Sequence, residues 1–211
     1  MRNFLNCTKI SKKRALLIRS CESQGNLSGT TSGWTDVKLS DYGRRQAFML
    51  NQVYSQNESM IYQIHSSDLS RCVDTSFYAL GFPSNESLVS QSKNLREMNF
   101  GDQEGLHFDG LTQKEKDEIS SREYQAPGEG GENWDQVRDR AHQYFAKLAL
   151  GNHLIFTHGG PITAVLYDHE VCEMPSNGSI LGVTFDDKNI NDGEIKSLEF
   201  SWEFPVVQDD I

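Results

Sequence analysis

The chain has 211 residues, 36% of them hydrophobic and 24% charged, with only 5 prolines. That suits one folded α/β domain and argues against a disordered or low-complexity chain. Lys+Arg total 20 against Asp+Glu 30, a formal charge of -10, which repels phosphate backbones over most of the surface and excludes nucleic-acid binding as the working function. No apolar run approaches the ~20 residues of a membrane span, so no membrane role is expected. The N-terminal stretch lacks the apolar core of a secretory signal, and Cys7, Cys21, Cys72 and Cys172 form no CxxC pair, so neither zinc nor a disulfide framework is expected and the cytoplasm is the default compartment.

Residues 1–13 read as a polar, basic extension, and 14–211 as a single domain. Ala15 to Ile18 is a short apolar run of the kind buried on both faces of a sheet. Ser20 to Ser32, rich in Gly and hydroxyl residues, reads as a loop leaving that strand's end, where α/β proteins place their ligand sites. Ser40 is a good N-cap for a helix from Asp41 to about Tyr54. Met60 to His65 reads as a strand, with His65 at its end, and Ser66-Ser67-Asp68 as the opening of a helix through Leu80, closed by Gly81 and Pro83. Asn94 to Gly105 is loop-like, Leu111 to Arg122 a short charged helix, and Ala126 to Gly131 a turn cluster.

Trp134 to Leu150 spaces Trp134, Val137, Ala141, Tyr144, Phe145 and Leu148 along one helical face, which predicts a core helix with its aromatics in the interior. His153 to Thr157 is another apolar strand, followed by a helix from Ile162 to about His169 with Pro161 in its first turn. Ser179 to Asp186 and Glu194 to Trp202 read as two final strands. Strands alternating with helices predict a doubly wound α/β fold, its mostly parallel central sheet flanked by helices. Arg19-Ser20-Cys21-Glu22-Ser23 and Thr157-His158-Gly159-Gly160 each follow a buried strand, so both belong at the carboxyl edge of the sheet. Arg71, in Ser67-Asp68-Leu69-Ser70-Arg71, can join Arg19 there.

These ordered segments, together with Gly33-Trp34-Thr35-Asp36, Leu95-Arg96-Glu97-Met98-Asn99-Phe100-Gly101-Asp102 and Gly131-Glu132-Asn133-Trp134, resemble the histidine phosphatase superfamily, the phosphoglycerate-mutase-like proteins. The resemblance runs from Ala15 to Trp202. It implies two arginines and two histidines around a phosphoryl group, one histidine being the nucleophile, with a carboxylate as general acid. Arg19 and Arg71 match the phosphate-clamping arginines, His158 the second histidine, and Glu97 the proton donor. Ser23, Asn26, Ser32, Gly33 and Gly159 fall at positions implied to touch the phosphate or substrate. Guanidinium forks bind phosphoryl oxygens bidentately and stabilise their charge during transfer.

The departure lies at the nucleophile. Where the family reads Arg-His-Gly-Glu, this chain reads Arg19-Ser20-Cys21-Glu22, placing Ser20 at the position of the phosphate-accepting histidine. A serine hydroxyl without an adjacent base is a poor nucleophile with a shorter reach than imidazole, and Cys21 adds a side chain where the family keeps glycine. Glu22 reads as a loop-holding residue and Cys21 as a small filler. The segment from Gly105 to Gly131 is short and offers only Arg122, which sets the chain nearer the phosphatases than the mutases.

The leading expectation is therefore a pseudophosphatase with a retained phosphate pocket, binding phosphorylated small molecules or partners. The alternatives are an active phosphomonoesterase, by another route or with Ser20 and Cys21 as introduced replacements, and a scaffold for a protein partner. No cofactor or metal is expected.

Overall fold

The computed structural model describes residues 13–55, 62–81, 88–120, 129–167, 174–185 and 195–199. Its centre is strand β1 (Lys13–Arg19), in which Ala15 to Ile18 are all buried. Successive strand residues point to opposite faces, so Ala15 and Leu17 join one core while Leu16 and Ile18 join the other. This two-sided burial is why an unbroken apolar run, without alternation, forms the strand.

Three more strands run parallel to it: β2 (Tyr62–Ser67), β3 (Val89–Ser92) and β4 (Gly151–Thr157). On the other side of β1, β5 (Ile180–Phe185) pairs antiparallel with it and β6 (Ile195–Glu199) antiparallel with β5. The strand order is β3-β2-β4-β1-β5-β6, a mostly parallel sheet. Register sets Arg19 opposite Thr157 across the β1–β4 pair, so the segments after both strands leave from one edge.

Helices cover both faces. On one, α2 (Asp41–Ser55) and α3 (Ser70–Leu80) bring Ala47, Leu50, Cys72 and Ala79 against Leu16, Ile18, Leu154 and Phe156. On the other, α5 (Trp134–Ala146) and α6 (Gly159–Tyr167) bring Ala141, Phe145, Ile162 and Leu166 against Leu17, Ile155 and Val183. Two shorter helices are α1 (Gln24–Ser28) and α4 (Gln113–Ser120).

Several expectations are corrected. The segment expected as a loop from Ser20 to Ser32 contains α1, made possible by a reciprocal cap: Ser23 Oγ accepts from Asn26 N–H, and Asn26 Oδ1 accepts from Ser23 N–H. Ser66 and Ser67 end β2 instead of opening the next helix, which starts at Ser70. β3 corresponds to no predicted element. The helix expected to run to Leu150 ends at Ala146, because β4 begins at Gly151. β1 already starts at Lys13, one residue inside the expected extension, whose remaining residues 1–12 lie outside the described residues, as do Ala126 to Gly128 of the turn cluster.

Candidate active site

Each parallel strand delivers one piece of the site. β1 ends in Arg19, and Ser20 follows with its N–H on the Thr157 carbonyl (2.8 Å). β4 ends at Thr157, followed by His158. β2 ends in Ser67, and one turn on, α3 carries Arg71 in its first turn. After β3, a 3₁₀ turn over Lys93–Leu95 leads to Glu97. Together they border a cavity of about 570 Å³. Arg19, Ser20, Ser23, Asn26, Ser32, Arg71, Glu97 and His158 all line it.

Gly33 and Gly159 are the two expected contact residues that lie outside this lining, and each is a glycine for packing. A Cβ on Gly33 would strike the Met98 carbonyl and the Phe100 ring, and one on Gly159 would strike Met174 Sδ.

Arg71 is 3% exposed and is held by the loop it faces. Its Nη2 donates to the carbonyls of Ser32 and Gly33 (both 2.8 Å) and its Nη1 to Thr35 (3.1 Å). Charge-assisted bonds of this kind fix a guanidinium before any ligand arrives. Arg19 is half-buried and donates to the Pro175 carbonyl. Burial lowers its pKa, Glu97 opposes this, and Arg71 adds to it, yet a guanidinium keeps its charge throughout. Two cations therefore border the cavity.

Glu97 is anchored from two sides. Its Oε1 accepts from the N–H groups of Gly160 (2.7 Å) and Met98 (2.9 Å), the first of these in the opening turn of α6, where unpaired amides attract negative charge. Its carbonyl accepts from Trp34 Nε1 (3.0 Å) and Arg140 Nη2 (2.8 Å). Arg140 in turn pairs with Glu132 through Nε (2.8 Å) and Nη2 (2.9 Å), and reaches the Arg96 carbonyl (2.6 Å). Arg96 forks onto Asp68 (2.6 and 2.7 Å) and lies 5.0 Å from the Trp34 ring. Hydrogen bonding to Arg96 is what holds the Asp68 carboxyl below its ordinary range. This double ion pair buttresses the Glu97 segment, and the sequence alone gives its residues no role, although Asp68, Arg96 and Glu132 stand inside the quoted motifs.

His158 is 1% exposed. Its Nε2 meets Ser67 Oγ at 2.9 Å and Cys72 Sγ at 3.3 Å. Burial first, then Arg71, Arg140, Arg19 and Arg96, push its pKa well below the ordinary value, so the imidazole is neutral. Ser20 is 4% exposed, its carbonyl accepting from Asn177 Nδ2 (2.9 Å).

Cys21 faces away from the cavity. It is fully buried with Leu39, Ala47 and Leu50, its N–H donates to Thr75 Oγ1 (3.1 Å), and burial pushes its thiol up to about 12, which keeps it protonated and unreactive. Burial likewise raises the Cys72 thiol. Glu22 accepts from the Ser40 hydroxyl (2.6 Å) while its N–H donates to Gln46 Oε1 (3.0 Å), so it ties the loop to α2.

The lining also includes the apolar side chains of Met98, Phe100, Phe108, Trp134 and Met174. Trp134 is buried in a core cluster with Met98, Val137 and Ala164, as its spacing predicts, and in addition lines the cavity, whereas Phe145 on the same helix is core alone. Its place at the first residue of α5, directly after the Asn133 cap, is the signal that distinguishes it. Among the described residues no cluster of His, Cys, Asp and Glu could hold a metal ion, and no helix is long and apolar enough to cross a membrane. The arrangement suits one dianionic phosphoryl group between two guanidinium groups, beside a neutral imidazole and a carboxylate.

A family model described as histidine phosphatase superfamily (branch 1) matches residues 15–183. A 2,3-bisphosphoglycerate-dependent phosphoglycerate mutase of Lactobacillus acidophilus is 28% identical over 92% of both chains. A putative phosphoserine phosphatase 2 of Hydrogenobacter thermophilus is 28% identical over 73% of this chain and 77% of its own. The crystal structure of a phosphoglycerate mutase from Thermus thermophilus superposes with a TM-score of 0.68 at 26% identity, covering 89% of this chain and 99% of that one.

Proposed function

The chain belongs to the histidine phosphatase superfamily, and on that premise we propose that it is a phosphoryl-binding member whose ordinary turnover is impaired, a pseudophosphatase for phosphorylated small molecules. The observation that carries this reading is a clamp without its usual acceptor. Arg19, Arg71, Glu97 and His158 border one cavity while the residue between the arginine and the rest of the motif is Ser20. A neutral imidazole attacks phosphorus and gives a phosphoramidate that water opens readily. A serine hydroxyl is a poor nucleophile unless a base is hydrogen-bonded to it, it reaches less far than an imidazole, and its phosphate ester would hydrolyse slowly. The relatives' names divide between mutases and phosphatases, and the shared requirement is recognition of a phosphate ester. Buried free thiols at Cys21 and Cys72 fit a reducing cytoplasm.

A second reading is favoured by His158, which is neutral inside the cage and has the lone pair a phosphoryl acceptor needs. In that reading a P–N bond to His158 forms as the ester P–O bond breaks, the leaving oxygen takes a proton, and water then cleaves P–N to orthophosphate.

Titration with orthophosphate and assay with p-nitrophenyl phosphate test both readings. Saturable phosphate binding with turnover near background supports the pseudophosphatase. Turnover within the usual enzymatic range of ~1–10³ s⁻¹ overturns it, and a phospho-enzyme mapped to His158 would establish the second reading.

A further inference from the structure

The residues lining the cavity are of two kinds. Asn26, Thr30, Thr31 and Ser32 are polar. Met98 and Phe100 after Glu97, Phe108 in a 3₁₀ turn, Met174 before β5 and Trp134 from α5 are apolar and come from separate segments.

Two of these side chains stand at the rim with much of their surface in water, Phe108 at 44% and Met174 at 52% exposure, yet both are held in place. The Phe108 N–H donates to the Gly29 carbonyl (2.7 Å) beside a Thr30–His107 bridge, and the Lys116 ammonium lies 5.3 Å from its ring. Met174 Sδ accepts from the Thr163 hydroxyl (3.4 Å) and lies where a Cβ on Gly159 would fall. Apolar groups fixed around a polar anchor are the usual make-up of a small-molecule pocket, and about 570 Å³ falls within the ~300–1,000 Å³ typical of such pockets.

Among the described lining residues the only charged cations are Arg19 and Arg71, with His158 neutral. A ligand whose far end carries a carboxylate or a second phosphate would meet methionine and aromatic side chains there, with only the Lys116 ammonium near the Phe108 ring, which is unfavourable without a closer partner. We propose that the site takes a phosphate monoester with an apolar, ring-sized organic group, an aryl phosphate in type, in preference to sugar or glycerate phosphates. This rests on the phosphoryl-binding reading above and assigns Phe108 and Met174 as its specificity residues.

The test is calorimetric titration of the intact chain with orthophosphate, glycerol 3-phosphate, 1-naphthyl phosphate and a phosphotyrosyl peptide. Burial of one ring against the apolar lining residues predicts 1-naphthyl phosphate binding about tenfold or more tighter than orthophosphate or glycerol 3-phosphate. Phe108→Ala and Met174→Ala should each lower the ratio of 1-naphthyl phosphate affinity to orthophosphate affinity about threefold to tenfold. Orthophosphate binding with no gain from the naphthyl group overturns this inference alone. Failure of every ligand to bind overturns the phosphoryl-binding reading and this inference with it. A peptide that outbinds 1-naphthyl phosphate overturns the small-molecule assignment in favour of a protein partner.

Discussion

Acid should weaken this fold through a pair of buried histidines that the site does not use. His153 Nε2 lies 3.0 Å from the Ala149 carbonyl, His153 Nδ1 lies 3.0 Å from His65 Nε2, and His65 Nδ1 lies 2.8 Å from the Tyr144 hydroxyl. A carbonyl can only accept, so His153 Nε2 must donate to it. His153 Nδ1 then accepts from His65 Nε2–H, and His65 Nδ1 accepts from Tyr144. Every ring nitrogen is committed with both imidazoles neutral, and an added proton must break a bond.

Burial and the neighbouring His153 lower the His65 pKa to about 4, and burial lowers that of His153, with Lys13 nearby adding to it. The unfolded chain takes up its proton near pH 6.5, the folded chain only near 4. Stability therefore falls as pH drops from about 6.5 towards 4 and levels off below. Linkage gives a loss of about 2 kcal/mol by pH 5 from His65 alone, a large part of the ~5–15 kcal/mol typical of a domain. Urea midpoints at about pH 7.5 and pH 5, for the parent and for His65→Gln, isolate this contribution, because His158 and the carboxylates act equally in both. The parent should lose about 2 kcal/mol more than the variant over that interval. Equal losses, or an NMR titration that places the His65 midpoint near its ordinary value, would refute the reasoning.

Arg71→Lys keeps the charge but cannot span the carbonyls of Ser32, Gly33 and Thr35. Orthophosphate affinity measured by calorimetry should drop about tenfold or more. Gly43→Ala gains at most about 1 kcal/mol of helix propensity, but its Cβ would collide with the Glu22 carbonyl. Net destabilisation of about 2–3 kcal/mol in urea unfolding is expected. Ser23→Ala removes the α1 cap and should lower stability by about 1 kcal/mol in urea unfolding.

The parts of the fold legible in the sequence are those where burial writes itself into a run or a period. Ala15 to Ile18 and Leu154 to Phe156 are apolar without interruption because both faces are covered, and Val137, Ala141 and Phe145 keep helical spacing because only one side of α5 meets the sheet. β3 leaves no such mark: of Val89-Ser90-Gln91-Ser92 only Val89 is buried, as suits the edge of a sheet. α1 is hidden because its stability comes from the Ser23–Asn26 cap in a polar, Gly-containing stretch. In the site, strand-end residues such as Arg19 and His158 can be placed by topology alone. The support behind Glu97 cannot, since Arg140 and Glu132, and Arg96 and Asp68, become partners only when separate segments close on one another. Trp134 shows the limit of periodicity, because its spacing agrees with core packing and only its position at the helix start brings it to the cavity.

The central claim is that the clamp is complete and the acceptor is missing. A side-by-side p-nitrophenyl phosphate assay of the parent, Ser20→His, and Ser20→His with Cys21→Gly tests it most directly. Because Cys21 points into the core, Ser20→His alone should restore most of the recoverable activity. Turnover by the two histidine-bearing variants with the parent near background is the predicted result. A parent as active as either variant would contradict the account and move the chemistry to His158.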